Sequence, residues 1–329
     1  MILTRTPLRI SFFGGGSDFP NWFLQNGGEV ISTTIDKYCY ISARKLPPFF
    51  NHRHRIVYSK VENVNFHNEI EHPVVRAVLK EMKIDDGIEL HHFSDLPARS
   101  GLGSSSAFTA GTLLALGNLY GLSKSKLNLS NESINIEQNI LKENVGCQDQ
   151  IAVSFGGFNH ISFNRNGEYQ VNRLDIESKK LKLLQENILL FFTGVSRLSS
   201  EIQLDQVENL SSNKNKISSI QNLVQESLNI LQGKQSLDDF GYLLDTTWKL
   251  KETLGKKVSN PKIDQIYSEI IKAGALGGKV LGAGGGGFMI FYVQKKNHKN
   301  ILSLAKELNL VHVPYKFEND GAKVIYKKD

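Results

Sequence analysis

The chain has 329 residues, 40% of them hydrophobic and 22% charged, which is typical of a soluble globular protein with room for two domains. Its formal net charge of +6 suits anionic small molecules as partners, but it is also the ordinary surface charge of many soluble proteins, and no nucleic-acid-binding module is visible. Two cysteines, Cys39 and Cys147, exclude a disulfide framework and a cysteine metal site, so we expect a reducing, cytoplasmic environment.

The amino-terminal segment predicts a strand followed by a glycine turn. Residues 1–13 alternate apolar and polar side chains, with Arg9 inside the pattern, and residues 14–18 read Gly-Gly-Gly-Ser-Asp. Glycines let the backbone approach a ligand closely, and a carboxylate such as that of Asp18 accepts two hydrogen bonds from hydroxyl groups. The segment therefore suits a polyhydroxylated ligand, and equally a tight turn in which Asp18 caps the next helix.

The following segments predict more strands and one helix. Residues 29–43 are rich in β-branched and aromatic side chains, residues 73–83 predict a helix that begins with a proline, and residues 88–93 predict a strand. Between them, the basic segment 51–55 is either a solvated loop or a binding segment for an anionic part of a substrate.

A glycine- and serine-rich loop, residues 96–108, runs directly into an uncharged helical segment, residues 107–120. Gly101 and Gly103 permit turns that other residues avoid, and three serines then fall where the helix offers unpaired amides and a positive dipole end. This pattern is typical of a phosphate-binding loop, although a serine-capped helix shares it. The loop lacks the lysine of a P-loop and the third glycine of a dinucleotide fingerprint. The helix is too polar to span a membrane, so we expect it to be buried.

The second half of the chain predicts further helices around a fresh strand. Residues 131–143 predict a helix, and Asp149 begins another, at a position where an acid is more often a helix cap than a catalyst. A strand is expected over residues 187–193, and three later helices carry apolar stripes at helical spacing. Residues 282–287 contain Gly-x-Gly-x-x-Gly, but a helix precedes them and a strand follows, which is the reverse of a dinucleotide-binding turn.

Three segments together resemble the GHMP kinases, the family that includes galactokinase, homoserine kinase, mevalonate kinase and phosphomevalonate kinase. They are residues 6–18 (TPLRISFFGGGSD), 97–107 (PARSGLGSSSA) and 279–292 (KVLGAGGGGFMIFY). The triple glycine before Ser-Asp is closest to the sugar-1-kinase branch, which includes D-glycero-D-manno-heptose 7-phosphate kinase and fucokinase. The resemblance implies an α+β fold of two domains, an ATP-binding domain over 1–185 and a domain over 186–329 with ferredoxin-like helices on an antiparallel sheet.

The resemblance also implies roles for individual residues. Asp149 would be the catalytic carboxylate that orients and deprotonates the acceptor hydroxyl, with Arg9 as the catalytic cation beside it, and Ser105 with Glu137 would hold Mg²⁺. The predicted ATP-binding residues are Pro97, Arg99, Ser100, Gly101, Leu102, Gly103, Ser104, Ser105 and Ser106. The predicted sugar-binding residues are Gly15, Gly16, Ser17, Asp18, Gly284 and Gly285.

The activity that the resemblance implies is ATP-dependent phosphorylation of the anomeric C1 hydroxyl of a sugar or sugar phosphate. Heptose 7-phosphate is the leading candidate, giving a 1,7-bisphosphate for nucleotide-sugar and surface-polysaccharide synthesis. We expect no nucleic-acid or membrane partner, and a monomer or a homodimer. A catalytically silent sugar-binding regulator is disfavoured because the catalytic and metal residues are all present, and a dehydrogenase because no dinucleotide-binding unit is found.

A kinase for an unphosphorylated sugar such as fucose or galactose is the close alternative. The two differ by whether a cationic pocket awaits a distal phosphate, for which Arg55, Arg197 and Lys249 are candidates. Phe12 and Phe13 stand where many relatives have smaller residues, so they are expected to narrow the sugar pocket.

Overall fold

The computed structural model describes residues 1–98, 100–194, 202 and 213–328 and shows two β-sheets with helices packed on them. Two of the predicted residues, Arg99 and Arg197, lie outside the described residues. The strands are β1 (Ile2–Phe13), β2 (Gly28–Lys45), β3 (His54–Val57), β4 (Val61–Val64), β5 (Ile88–Ser94), β6 (Phe158–Phe163), β7 (Tyr169–Arg173), β8 (Ile188–Phe192), β9 (Ala275–Val280), β10 (Phe288–Val293), β11 (Val311–His312), β12 (Phe317–Glu318) and β13 (Lys323–Lys327). The helices are α1 (Pro20–Asn26), α2 (Pro73–Glu81), α3 (Ser104–Leu119), α4 (Lys126–Ile134), which a π-helical segment (Asn135–Ile140) continues, α5 (Gln148–Phe155), α6 (Ser178–Asn187), α7 (Lys214–Gln232), α8 (Leu237–Lys251), α9 (Pro261–Lys272) and α10 (His298–Glu307).

The two sheets are almost wholly antiparallel. Within the described ranges, the first sheet has nine strands, in the order β13-β1-β2-β5-β3-β4, with β6 and β12 also paired to β2, and β7 to β6. Its one parallel pair in those ranges is β3 with β5. The second sheet has the order β11-β8-β10-β9, with every pair antiparallel. Helices packed on antiparallel sheets confirm the predicted α+β class.

The first strand follows its predicted alternation only at its beginning. Residues 2–5 alternate between buried and half-buried, whereas every residue from 6 to 13 is buried. This half of β1 contacts α3 and α5 as well as α7 and α8, so none of its side chains reaches solvent on an open face. An arginine at position 9 is therefore a buried arginine, which needs partners for its charge.

The uncharged helix is buried, as predicted. Residues 106–117 of α3 are buried, and the helix packs on β1 and β2. Gly111 permits this approach, because a Cβ there would lie 3.0 Å from Oγ1 of Thr6 and 3.1 Å from Cγ1 of Ile41. Among the described helices we find none whose length and apolar character would allow it to cross a membrane.

The end of the chain returns to the first sheet. The chain enters the second sheet with β8, soon after the predicted boundary between residues 185 and 186, and α8 and α9 pack on β9. After β11, however, β12 pairs with β2 and β13 pairs with β1, whereas the expected second domain ran to residue 329. The division into 1–185 and 186–329 stays a prediction.

The adjacent phenylalanines at the end of β1 are core residues. Phe12 and Phe13 have no exposed surface, and their rings lie 5.3 and 5.0 Å from the ring of Phe240 in α8. Phe12 also stacks on Phe158 at 5.4 Å. The prediction that they narrow the sugar pocket is wrong, because both rings are committed to the packing of α8 against the first sheet.

We expect Phe240→Ala to lower the free energy of unfolding by about 3 to 5 kcal/mol, because it leaves a cavity between α8 and β1. Tyr242→Ala on the same helix is the control, since 56% of Tyr242 is exposed, and its change should be within about 0.5 kcal/mol. Urea unfolding followed by circular dichroism measures both. Equal losses in the two variants would show that the aromatic contact contributes nothing specific.

Candidate active site

An ion pair between the first strand and a later helix forms the centre of the candidate site. Arg9 lies on the buried half of β1, and Asp149 lies in the first turn of α5. The guanidinium donates from Nε to Oδ1 of Asp149 at 2.7 Å and from Nη2 to Oδ2 at 2.5 Å. The Arg9 side chain is 3% exposed and that of Asp149 is 26% exposed. A bidentate ion pair of this kind fixes the orientation of the Asp149 carboxylate, which remains partly exposed to solvent.

The predicted phosphate loop closes over this pair. Nη1 of Arg9 donates to the carbonyl oxygen of Gly101 at 2.5 Å, and the Arg9 amide donates to the carbonyl oxygen of Leu102 at 2.9 Å. Gly103, the N-cap residue directly before α3, has a φ of 72°. A Cβ on this residue would lie 3.1 Å from Cγ of Arg9 and 3.6 Å from Oδ2 of Asp149. Since Gly103 offers no side chain to cap α3, the first amides and the positive end of the helix are suited to phosphate oxygens.

The glycine loop after β9 packs backbone against backbone on the phosphate loop. A Cβ on Gly282 would lie 2.5 Å from Cα of Gly101, and one on Gly101 would overlap the carbonyl oxygen of Leu281. Both glycines have positive φ, 68° and 86°. The amide of Phe288 donates to the carbonyl oxygen of Ser100 at 3.1 Å. The absence of a Cβ at both positions lets the second loop support the first from behind.

The predicted sugar contacts Gly284 and Gly285 do not line the cleft. A Cβ on Gly284 would lie 2.6 Å from the carbonyl oxygen of Val258, and the Gly285 amide donates to the same oxygen at 2.7 Å. Their role in sugar binding stays a prediction without a contact to support it. The preceding residues, Gly282 and Ala283, do line the cleft.

Glu137 is the buried carboxylate of the predicted metal site. It is 1% exposed, and its Oε2 accepts hydrogen bonds from Ser106 at 3.0 Å and from Gln150 at 2.5 Å. Burial raises the pKa of Glu137 to about 7, against the lowering effect of the Thr109, Gln150 and Ser106 side chains. Ser105, predicted to hold the metal with Glu137, is exposed, and its neighbour Ser106 is the serine that contacts the carboxylate.

The surroundings of Glu137 fit a hard divalent cation. Its Oε1 is buried and accepts no hydrogen bond from the described residues, and the charge of nearby Glu143 also raises its pKa. A positive ion would provide a partner for Oε1 and would offset the negative charge of Glu143. The described part of the chain contains no cluster of three or more His, Cys, Asp or Glu side chains that could hold a metal alone. Mg²⁺ does not need one, because it commonly takes one or two carboxylates together with water and substrate phosphates. The pairing of Ser105 with Glu137 stays a prediction.

Asp18 joins the first glycine turn to the start of α5. Its carboxylate accepts from the amide of Gly16 at 3.0 Å and from the amide of Gln148 at 3.3 Å, and it does not cap α1. The residue is 3% exposed, and burial, followed by the charge of Asp149, raises its pKa. Gly146 permits the approach, because a Cβ there would overlap the Asp18 carboxylate. The Asp18 carboxylate thus holds the glycine turn of residues 14–18 against the start of α5.

These elements enclose a cleft of about 950 Å³, at the upper end for small-molecule sites. The predicted residues that line it are Arg9, Gly15, Gly16, Asp18, Gly101, Gly103, Ser104, Ser105, Ser106, Glu137 and Asp149. The predicted residues that do not line it, besides the two glycines named above, are Pro97, Ser100, Leu102 and Ser17. Ser17 and Ser100 are buried, and their hydroxyls donate to the backbone carbonyl oxygens of Gly14 and Pro97.

Three lysines that line the cleft were not predicted, the exposed Lys142 and the more deeply placed Lys251 and Lys279. Lys251 ends α8 and donates to the carbonyl oxygens of Val280 and Gly282, and Lys279 in β9 donates to the carbonyl oxygen of Phe12 at 2.7 Å. The sequence carried a signal for Lys251 and Lys279. Lys251 continues the apolar stripe of α8, and Lys279 stands in a strand whose other residues are mostly buried. A charged side chain at a position where the hydrophobic pattern predicts a core residue is a signal of a binding or catalytic site.

The basic residues singled out from the sequence lie elsewhere. Nε of Arg55 is 3.7 Å from Oε1 of Glu89, and Nζ of Lys249 is 2.7 Å from Oδ2 of Asp245. Neither basic residue lines the cleft. The third candidate, Arg197, falls outside the described residues. The sequence therefore left open whether a cationic pocket exists, and neither of its described candidates lines the cleft.

The glycine-rich loops and both sheets are shared with a known family. Residues 68–157 match the family described as GHMP kinases N terminal domain, and residues 224–307 match GHMP kinases C terminal. The D-glycero-alpha-D-manno-heptose 7-phosphate kinase of Campylobacter jejuni is 30% identical over 98% of this chain and 98% of its own length. The chain belongs to the GHMP kinase family.

More distant relatives agree with this assignment. The galactokinase of Thermotoga maritima is 24% identical over 88% of this chain and 89% of its own. The crystal structure of a D-glycero-D-manno-heptose 1-phosphate kinase from Bacteroides thetaiotaomicron shares the fold with a TM-score of 0.82, covering 100% of both chains at 23% identity. As a GHMP kinase the protein is a phosphotransferase with an alcohol group as acceptor, and kinases of this family use ATP as the phosphate donor.

We expect Gly282→Ala to raise the KM for ATP roughly tenfold or more, because the new Cβ pushes the supporting loop away from the phosphate loop. Gly121→Ala is the matched control. Gly121 also has positive φ, 75°, but nothing lies within 4 Å of a Cβ there, so it suffers backbone strain alone. That strain costs about 1 kcal/mol in urea unfolding and should leave the KM for ATP unchanged. If Gly282→Ala and Gly121→Ala have similar KM values for ATP, the packing of Gly282 on Gly101 is not what supports ATP binding.

We expect Glu137→Gln to gain stability relative to the wild type as pH rises. The folded protein holds the Glu137 proton up to a pKa of about 7, above the ordinary glutamate value of 4.5, so this group's stabilising contribution is present at low pH and is lost as pH rises through 7. Between pH 5 and pH 8 in EDTA, the difference in unfolding free energy should move by about 2 kcal/mol in favour of the variant.

The control for this pH series is Glu226→Gln, an exposed glutamate of α7. Urea unfolding at each pH measures all three proteins. A difference between wild type and Glu137→Gln that stays constant from pH 5 to pH 8 would contradict a raised pKa.

Proposed function

We propose that this GHMP kinase transfers the γ-phosphoryl group of ATP to the anomeric C1 hydroxyl of a sugar or sugar phosphate. The first candidate is D-glycero-D-manno-heptose 7-phosphate, which would give the 1,7-bisphosphate and ADP. The observation that carries the proposal is the pair of Arg9 and Asp149, which lies beside the phosphate loop and the turn of residues 14–18. The similarity to the Campylobacter heptose 7-phosphate kinase supports the choice of sugar.

The phosphate loop would hold the donor. Its amides at the start of α3 are suited to the phosphates of ATP, with Gly101 and Gly103 allowing the backbone to come close. Another part of the cleft wall is aromatic. His72 stacks on Phe108 at 4.4 Å, and the edges of Tyr58 and His92 complete the cluster. Flat aromatic surfaces of this kind suit the base of a nucleotide.

Asp149 would orient the acceptor. In the transfer, a bond forms between the acceptor oxygen and the γ-phosphorus, the bond from that phosphorus to the bridging oxygen of ADP breaks, and the hydroxyl proton passes to Asp149. An aspartate is a weak base toward an alcohol, so its placement contributes more than its basicity. Arg9 supplies this placement through two hydrogen bonds. Gly15, Gly16 and Asp18 line the neighbouring wall, where they would contact the sugar.

The carboxylate of Glu137, with a serine hydroxyl of the phosphate loop, would hold Mg²⁺. The ion, when bound, would neutralise charge on the phosphate oxygens during transfer. Ser106 contacts Glu137, and Ser105, one residue earlier, also lines the cleft, so either serine could supply this hydroxyl.

The setting we propose is the cytoplasm, with the enzyme as a monomer or homodimer that makes a sugar 1-phosphate for nucleotide-sugar and surface-polysaccharide synthesis. Both cysteines are buried and free, which suits a reducing environment. A kinase for an unphosphorylated sugar is the second candidate, favoured by the galactokinase relative. A catalytically silent regulator is disfavoured, because Arg9 and Asp149 form an intact and accessible pair.

We expect Asp149→Asn to lower kcat by roughly two to four orders of magnitude, with little change in ATP affinity. The amide keeps the shape of the side chain but cannot take the hydroxyl proton. Asp149→Ala should lose as much activity and more stability, since it leaves the buried Arg9 guanidinium without its partner. Steady-state kinetics and nucleotide titration measure the two effects. Near-normal turnover in a folded Asp149→Asn protein would refute the assignment.

The overall activity is tested by ADP release across a panel of sugars and sugar phosphates, followed by ³¹P NMR of the product. We expect a new phosphate at C1 of the acceptor. No ADP release with any member of the panel, or a phosphate at another hydroxyl, would refute the proposed function.

A further inference from the structure

Lys251 and Lys279 form a pair of cleft-lining cations that the proposed transfer does not use. Lys279 is 3% exposed, and Lys251 is largely covered at the end of α8. They come from different elements, yet they lie close enough that the charge of Lys251 contributes to lowering the pKa of Lys279. Two cations brought together in a water-poor region are costly unless an anion compensates them.

Each amino group has donors to spare. An ammonium group carries three N–H donors. Lys251 uses two of them, on the carbonyl oxygens of Val280 and Gly282, and Lys279 uses one, on the carbonyl oxygen of Phe12. No carboxylate in the described ranges lies within ion-pair distance of either amino group. In their protonated forms both lysines therefore keep at least one unused donor, and both residues line the cleft.

The charges around the pair do not balance. The charged groups around Lys251 are Arg9, Asp18 and Asp149, and Lys279 lies near both Arg9 and Lys251, so three basic groups meet two carboxylates. Burial and the charge of Arg9 lower the pKa of Lys251 to about 7, and the pKa of Lys279 is lowered well below its usual value. Burial is the main cause of both shifts, and neighbouring positive charge adds to it.

The position of the pair favours the acceptor over the donor as the source of that partner. Lys279 donates a hydrogen bond to the carbonyl oxygen of Phe12. Phe12 lies just before the turn of residues 14–18, and this turn is the proposed sugar-binding segment. Lys251 and Thr247 lie one helical turn apart and both line the cleft, next to Leu254. The donor phosphates would already have the amides of α3 and the cation that we propose at Glu137.

We propose that Lys251 and Lys279 bind an anionic group, a phosphate, carried by the acceptor sugar away from its reacting hydroxyl. The inference rests on the proposed function and deepens it, because it makes a sugar phosphate the substrate and free sugars poor ones. Arg55 and Lys249 cannot have this role, since each is paired with a carboxylate outside the cleft.

The first test needs no variant. Wild-type enzyme is assayed for ADP release with D-glycero-D-manno-heptose 7-phosphate and with the free heptose at saturating MgATP. We expect kcat/KM to favour the phosphorylated sugar by roughly 100-fold or more, as two charge-assisted contacts to one group predict. Equal values would overturn the inference while leaving the kinase intact. Failure with every sugar and sugar phosphate would instead refute the proposed function.

The second test assigns the preference to the two residues. Lys251→Met and Lys279→Met should each raise the KM for heptose 7-phosphate roughly 10- to 100-fold and narrow the preference over the free heptose. The KM for ATP should stay near its wild-type value. Lys249→Met, two residues from Lys251 and 66% exposed, is the matched control and should change neither constant. A variant that raises the KM for ATP instead, or one that keeps the full preference, would overturn the assignment.

A pH series guards against variants that fail to fold. Because Lys251 loses its proton above about pH 7, the wild-type KM for heptose 7-phosphate should rise between pH 7 and pH 9. The KM for the free heptose has no such dependence if the lysines serve the phosphate. Lys251→Arg keeps its charge over this range, so it should abolish the rise. Parallel pH profiles for the two sugars would contradict the inference.

Discussion

The two hydrogen bonds between Arg9 and Asp149 are the interaction on which the rest of the site depends. They join the first strand to a helix 140 residues later in the chain. A third contact from the same guanidinium holds the carbonyl oxygen of Gly101, so one side chain places the predicted phosphate loop relative to the Asp149 carboxylate. Since the guanidinium is planar and rigid, this placement is directional, which a flexible ammonium group would not achieve. Arg9 thereby fixes the position of Gly101, in the proposed donor site, relative to Asp149, in the proposed acceptor site.

Glycines make this convergence possible because they remove the side chains that would keep the segments apart. Gly103 lets α3 begin against the Arg9 and Asp149 pair, Gly282 lets the second loop touch the first, and Gly146 admits the carboxylate of Asp18. At each of these positions a Cβ would meet backbone or a charged group. The loops of the site are thus positioned by packing of backbone on backbone, and α3 with β1 and β2 forms the rigid support behind them.

The cleft concentrates buried charge that the folded chain does not fully compensate. Among the described residues, Oε1 of Glu137 has no hydrogen-bond donor, and neither Lys251 nor Lys279 is ion-paired with a carboxylate; burial also raises the pKa of Asp18. Each of these groups costs stability in the free protein. Substrates and a metal ion of opposite charge would relieve the cost on binding, so the same groups that weaken the fold provide binding energy and selectivity.

The sequence by itself determined the family, the α+β class and the buried α3, because periodicity, glycine spacing and residue chemistry are local properties of the chain. Its choice of Arg9, Glu137 and Asp149 as site residues stays a prediction, although all three line one cleft. It did not determine which neighbouring side chains reach the cleft. Ser106 contacts Glu137 although Ser105 was expected there, Phe12 and Phe13 pack in the core, and Lys251 and Lys279 line the cleft in place of Arg55 and Lys249. Only the tertiary structure decided these points, since the direction of a side chain depends on which elements pack around it, and the elements around this cleft come from opposite ends of the chain.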